Sequence, residues 1–91
     1  MYQLKFTNRF KKSYQRMIRR GADIALLDQV IDTLQKGETL DAKYHDHYLT
    51  GVFGGFRECH IQPDWLLIYL VEKDILTLTL MNTGSHSDLF T

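Results

Sequence analysis

Six consecutive residues, Leu66-Leu67-Ile68-Tyr69-Leu70-Val71, carry only one polar atom among their side chains, and they constrain this chain more than any other stretch. An almost continuous apolar run of that length is expected of a central strand covered on both faces or nearly so. It predicts a strand over 66–72 in the middle of a sheet. Glu72-Lys73-Asp74 follows as a tight turn, and the next strand, 75–82, alternates cleanly. A period of two directs Leu76, Leu78 and Leu80 toward one face and Thr77, Thr79 and Met81 toward the other. Upstream, 52–61 supplies a further strand, and "YQLKFT" alternates as a short first one.

Between the first strand and the rest lie two helical patterns. Thr7 or Asn8 caps a helix running to Arg20, with Phe10, Tyr14, Met17 and Ile18 on one face, and Gly21 ends it. Asp23 caps a second, in which Ile24, Leu27, Val30, Ile31 and Leu34 recur at helical spacing up to Gly37. The order β-α-α-β-β-β implies one α+β domain over 1–91, with both helices packed on one side of the sheet. No stretch approaches the ~18–20 apolar residues of a membrane span, and the N-terminus has no signal-peptide pattern. A single cysteine, Cys59, cannot form an internal disulfide, which fits a reducing cytoplasm, and its neighbours mark it as a buried structural thiol.

The formal net charge of zero hides an asymmetry. Lys5, Arg9, Lys11, Lys12, Arg16, Arg19 and Arg20 stand in the first twenty residues without a single acid. A basic block on one element points to a polyanion or an acidic protein as partner; a solvated helix face balanced by acids elsewhere explains it equally well.

The histidines, at 45, 47, 60 and 86, all lie outside the helices. In "FRECHI" the core residues are Cys59 and Ile61, so Glu58 and His60 face away from the helices. Arg57 has core parity. Proline cannot enter a type I′ turn, so Pro63-Asp64 predicts a longer loop with Asp64 and Trp65 at its rim. His47, His60 and His86 can then converge at one end of the open face, bordered by Asp64, Trp65 and Phe90. Two imidazoles flanking a phosphodiester can take a proton from a 2′-hydroxyl and give one to the departing 5′-oxygen. An aromatic side chain beside them offers a platform for an unpaired base. Arg57 or the basic helix can hold the phosphate. Two other readings stay open from the residues alone: a metal site, although no established ligand spacing is present, and unrelated surface histidines with Trp65 in the core.

"DHYLTG", "FRECHIQPDWLLIY" and "TGSHSDLF" resemble, in order and spacing, the motifs DHxLxG, YRDxHxxPDWxLIY and TGTHxxLF of the YafQ-type branch of the RelE/ParE toxin superfamily. The resemblance runs from the first strand to the last residue. It implies a small RelE-like α+β domain, a twisted antiparallel sheet with two helices on one face. It also implies a ribosome-dependent endoribonuclease, the toxin half of a toxin–antitoxin pair, cutting mRNA in the ribosomal A site with no metal or other cofactor. Position by position, His47 matches the first motif, His60, Asp64 and Trp65 the central one, and His86 and Phe90 the last. The implied roles are His86 as general acid, His47 or His60 as base, and Asp64 as the group that orients a histidine or the ribose hydroxyl. Trp65 and Phe90 would shape or stack on the nucleotide, and Arg57 would contact phosphate or support the structure. The implied partners are a cognate antitoxin, the ribosome's RNA and mRNA, with operator DNA reached only through the antitoxin and no membrane. Tyr48, Phe56 and Glu58 depart from the motifs, and His45 receives no role. Two alternatives within the superfamily are a gyrase-poisoning toxin and an inactive antitoxin-binding relative; neither needs the histidines.

Overall fold

The structure, a computed structural model, describes residues 1–90. Its elements are β1 (Gln3–Phe6), α1 (Asn8–Arg19), α2 (Ile24–Gln35), β2 (His47–Tyr48), β3 (Arg57–Gln62), β4 (Trp65–Glu72), β5 (Thr77–Gly84) and α3 (His86–Phe90), with single 3₁₀ turns at Ala42–Tyr44 and Gly51–Phe53. The Thr7 hydroxyl accepts from the Phe10 N–H at 2.9 Å and so caps α1. It also donates to the Met81 carbonyl at 2.7 Å, which ties the helix start to β5. Gly21, at φ +79°, supplies the left-handed residue after α1 that lets the chain turn back into α2. Asp23 occupies the cap position of α2 without a side-chain cap bond.

The five strands lie in the order β1-β5-β4-β3-β2. β4 is central, as its apolar run requires, and Trp65 through Tyr69 are all buried. β2 to β5 form an antiparallel meander, but β1 pairs with β5 in parallel, Gln3 beside Thr77 and Phe6 beside Leu80. The sheet is therefore mixed rather than antiparallel throughout. Alternation of side chains says which face a residue takes and nothing about the direction of a partner seventy residues away.

Both helices pack on one face. Phe10, Met17, Leu27, Val30, Ile31 and Leu34 meet Cys59, Leu67, Tyr69, Leu78 and Leu80 in one cluster. Leu66 and Ile68 are just as buried but lie outside that cluster, on the face opposite the helices. α3 folds back against β5 there, so that face is partly roofed.

Two details of the strand ends depart from the alternation pattern. Leu76 is 58% exposed and sits at φ +48° in the turn before β5, so it does not join Leu78 and Leu80. The β3–β4 connection is not lengthened, for Gln62 pairs directly with Trp65 across Pro63-Asp64. A register shift between His60 and Gln62 absorbs the geometry that proline forbids.

Gly84, at φ +150°, ends β5 where α3 turns back, and a Cβ there would lie 2.7 Å from the Asp88 carboxylate. Gly84→Ala should therefore cost about 1–3 kcal/mol of stability, from the forbidden backbone conformation and the displaced carboxylate. Urea unfolding measures it; an unchanged midpoint would show that α3 docks without this close approach.

Candidate active site

Strand register assembles the site. On the face away from the helices, one row across the sheet reads His47, Glu58, Ile68, Asn82, and the next reads His60, Leu66, Gly84. Two residues beyond Gly84, His86 opens α3. Residues 47, 60 and 86 are thus brought together from three parts of the chain. The ring centroid of His60 lies 6.5 Å from that of His47 and 5.8 Å from that of His86. A fourth imidazole joins them: His45 meets His60 edge-on at 5.7 Å. Sequence reasoning gave His45 no part, and strand alternation could not have found it, because His45 lies before β2 in a left-handed conformation.

Glu58 is the second residue it passed over. The carboxylate is only 6% exposed, and Oε1 lies 3.5 Å from His47 Nε2 and 3.6 Å from His60 Nε2. Its parity with His60 was correctly read; what parity could not convey is that β2 covers it. The two imidazoles are its ion-pair partners, each answering the carboxylate's charge only when protonated.

The ring nitrogens are oriented by different partners. His47 Nδ1 is 2.7 Å from the His45 carbonyl oxygen, which can only accept, so the proton sits on Nδ1 and Nε2 faces the cluster. His86 Nδ1 donates to Asp64 Oδ1 at 2.6 Å, and the His86 backbone N–H donates to the same oxygen at 3.0 Å. These bonds, the backbone one foremost, hold the Asp64 carboxyl below the usual carboxylate range. His86 therefore also presents Nε2 outward.

The remaining sequence candidates fall elsewhere or stand apart. Trp65 is 3% exposed within the helix-side core, its Nε1–H donating to the Thr83 hydroxyl, so it offers no face for a base to stack on. Phe90 is 44% exposed at the end of α3, edge-on to Phe53 at 6.0 Å. Arg57 points to the face opposite His60, as its parity required, and its guanidinium is paired with Asp46. Nε and Nη2 donate to Asp46 at 3.2 and 2.8 Å, and the group lies over the Tyr48 ring at 4.1 Å. It is thus a support and not a free phosphate ligand; adjacency in a motif placed it near the histidines, while alternation placed it behind them.

That support acts on the site from the back. Asp46 lies between His45 and His47, and its carboxylate also accepts from the Tyr69 hydroxyl. Hydrogen bonding to Asp46 pushes the Arg57 guanidinium further up, and burial, reinforced by Asp46, raises the Tyr69 phenol. Burial likewise raises Cys59 on the same face, which leaves an inert thiol. Asp46→Ala should cost roughly 1–3 kcal/mol, discounted for partial exposure of the pair, and should release the His47 Nδ1 bond to the His45 carbonyl. Tyr69→Phe, which removes one hydroxyl, should lose a smaller part. Urea unfolding and the His47 ring ¹⁵N spectrum read both effects; a His47 ring unchanged in Asp46→Ala would contradict the clamp.

A second anchor holds α3. Arg20 donates to Asp88 Oδ2 at 2.6 Å and to Oδ1 at 3.0 Å, Arg16 stands 4.0 Å away, and the Ser85 N–H donates to Oδ2 at 2.9 Å. The Arg20 bonds hold the Asp88 carboxyl far below its ordinary value. A depressed carboxyl contributes stability that is complete above its unfolded value near 4 and is lost as pH falls through the folded one. The stability difference between the wild-type chain and Asp88→Asn should thus stay constant above about pH 5 and shrink below about pH 4. A difference independent of pH would remove Asp88 as the latch. Other α1 cations remain available: Arg9, Lys12 and Arg19 line one surface with Arg16 and with Asp88 and Leu89 of α3.

Comparison with known proteins bears on the family and the fold. Residues 2–91 match a family described as the bacterial toxin of type II toxin–antitoxin systems, YafQ. The chain is 31% identical over 88 residues to the mRNA interferase toxin YafQ of Escherichia coli K12, covering 96% of this chain and 94% of that one. A crystal structure of a copper-bound mutant toxin from Helicobacter pylori superposes with a TM-score of 0.92 at 43% identity, covering 99% of this chain and all of the other. The toxin in the E. coli DinJ–YafQ complex superposes with a TM-score of 0.91 at 29% identity over the full length of both.

Proposed function

The chain belongs to the YafQ family of bacterial toxins from type II toxin–antitoxin systems, and from that premise we propose that it is an mRNA interferase, an endoribonuclease that cuts messages in the ribosomal A site by histidine acid–base catalysis. The observation that carries this reading is the convergence of His47 and His86 on His60, with His47 and His86 each anchored through Nδ1.

The steps follow from the partners of each ring. His47 or His60 takes the proton of the 2′-hydroxyl on Nε2. The resulting alkoxide attacks the adjacent phosphorus in line. His86 gives a proton to the 5′-oxygen as the P–O bond breaks, leaving a 2′,3′-cyclic phosphate and a 5′-hydroxyl. Asp64 supplies a carboxylate to the ring that must carry a positive charge, whereas His47 leans on a neutral carbonyl, and this difference favours His86 as the acid. Glu58 sits between the two candidate bases and steadies whichever of them is protonated. Phe90, exposed at the end of α3, is an aromatic ring available to the nucleotide. Among the described residues no group of three or more His, Cys, Asp or Glu side chains is arranged to hold a metal ion.

The basic surface of α1 fits the ribosome's RNA, and binding through it should weaken as salt rises. The DinJ–YafQ complex supports an antitoxin as the natural inhibitor of this chain, its acidic segment drawn to the same cations, with operator DNA contacted only by the antitoxin.

His86→Ala should lower cleavage by about 10²–10⁴-fold, and loss of either His47 or His60 should cost less than loss of both. Mapping 5′ ends on translated messages after induction measures this. New ends in register with the A site should vanish with His86→Ala. Growth arrest that survives that substitution, with DNA damage in place of cut messages, would overturn the reading.

A further inference from the structure

β2 pairs only with Arg57 and Glu58, so from Cys59 onward no strand covers the outer edge of β3. Along that uncovered edge runs a cleft of about 740 Å³, within the roughly 300–1,000 Å³ of small-molecule sites. Lys43, Tyr44 and His45 form one wall, and His60, Gln62 and Pro63 form the other. No residue here except His60 takes part in the mechanism above.

Three features make this cleft more than a groove beside the site. It opens directly onto the reacting centre, because His60 belongs to both. It has the chemistry of a nucleotide site: a half-buried tyrosine ring, an exposed lysine whose ammonium stands 5.2 Å from that ring, and an exposed amide side chain at Gln62. And its wall is held in a costly conformation, since His45 adopts φ +49°, ψ +43°, a left-handed geometry that a residue with a Cβ takes only where its surroundings enforce it. That conformation both turns the His45 carbonyl onto His47 and sets the His45 ring at the mouth of the cleft.

The polarity follows from the two sides of His60. His86 meets it on one side and His45 on the other. The leaving 5′-oxygen belongs to the downstream nucleotide and departs beside His86. The nucleotide that carries the attacking 2′-hydroxyl lies across His60, toward the cleft. We propose that the Lys43–Tyr44–Gln62 cleft is the subsite for the nucleotide on the 5′ side of the scissile phosphate, its base against Tyr44 and Gln62 with the Lys43 charge beside them, while its 3′-phosphate, the scissile one, stays at the imidazoles. This rests on the endoribonuclease reading for its biological meaning but not for its test.

Nucleoside 3′-monophosphates carry a phosphate where that upstream nucleotide would and serve as probes without a ribosome. Added to the whole ¹⁵N-labelled protein, they should shift the amides of Lys43, Tyr44, His45 and Gln62 together with the His60 ring, saturably. The corresponding 5′-monophosphates should bind at least several-fold more weakly. Lys43→Gln and Gln62→Ala, both at exposed positions and outside the catalytic set, should weaken the 3′-monophosphates several-fold while the amide spectrum confirms an intact fold. In translating extracts, Gln62→Ala should flatten the base preference immediately 5′ of the cut and leave the 3′ side unchanged. Shifts confined to α1, equal affinity for 5′-monophosphates, or no saturable binding would overturn the assignment. Specific 3′-monophosphate binding without any message cleavage by the wild-type chain would uphold the cleft and overturn the endoribonuclease reading.

Discussion

The register of β3 between β2 and β4 is the constraint on which the rest depends. A slip of one residue would turn Cys59 and Ile61 out of the core and drive Glu58 and His60 in among the helix side chains. Exposing an Ile-sized side chain costs about 1.5–3 kcal/mol, and burying a carboxylate without its imidazoles costs several more. Against a total stability of roughly 5–15 kcal/mol, the slipped pairing is excluded. The same alternation that secures the core therefore fixes the site. With β3 in place, His47 stands beside Glu58, and Gly84 lies in line with His60, so that the chain leaving β5 delivers His86 to its side.

The two faces of the sheet do different work through the same strands. From the helix side, Arg57 and Tyr69 grip Asp46 and so hold the segment that carries His45 and His47 on the other side. From the end of α1, Arg20 grips Asp88 and holds the helix that begins with His86. The segments that carry His47 and His86 are thus each positioned by an ion pair. A small domain has few residues to spare, and here the supports of the site double as the closures of its loop and its terminus. Part of the basic block on α1 is consumed in this way, while Arg9, Lys12 and Arg19 remain for a polyanion.

Much of this was legible in the residues. The unbroken apolar run over 66–71 placed β4 at the centre, glycines and caps marked the helices within a residue or two, and strand parity set His60 and Glu58 opposite Cys59 and Ile61. What the pattern lacked was information about direction and cover. Nothing in the alternation of "YQLKFT" distinguishes a parallel from an antiparallel neighbour, and the antiparallel sheet that the resemblance implies does not extend to β1. Trp65 and Arg57 sit within a motif that carries the histidines, but one is core by its place at the head of a buried strand and the other faces the helices by parity. The depth of Glu58 and the approach of His45 both depend on a two-residue strand, β2, too short to leave a periodic signal. Proline at 63 correctly excluded one turn type; the relief came from an irregularity inside β3 rather than from a longer loop.

The proposed cleavage requires one nucleotide to be straddled by imidazoles that three distant segments supply. The direct measurement is a structure of the chain on a ribosome whose A-site codon carries a 2′-O-methyl group at the cleaved position, so that the bond stays intact. The scissile phosphate should lie within hydrogen-bond reach of His86 Nε2, with the blocked 2′-oxygen beside Nε2 of His47 or His60. A phosphate seated on α1 with the imidazoles out of reach, or His86 on the far side of the bound message, would contradict it.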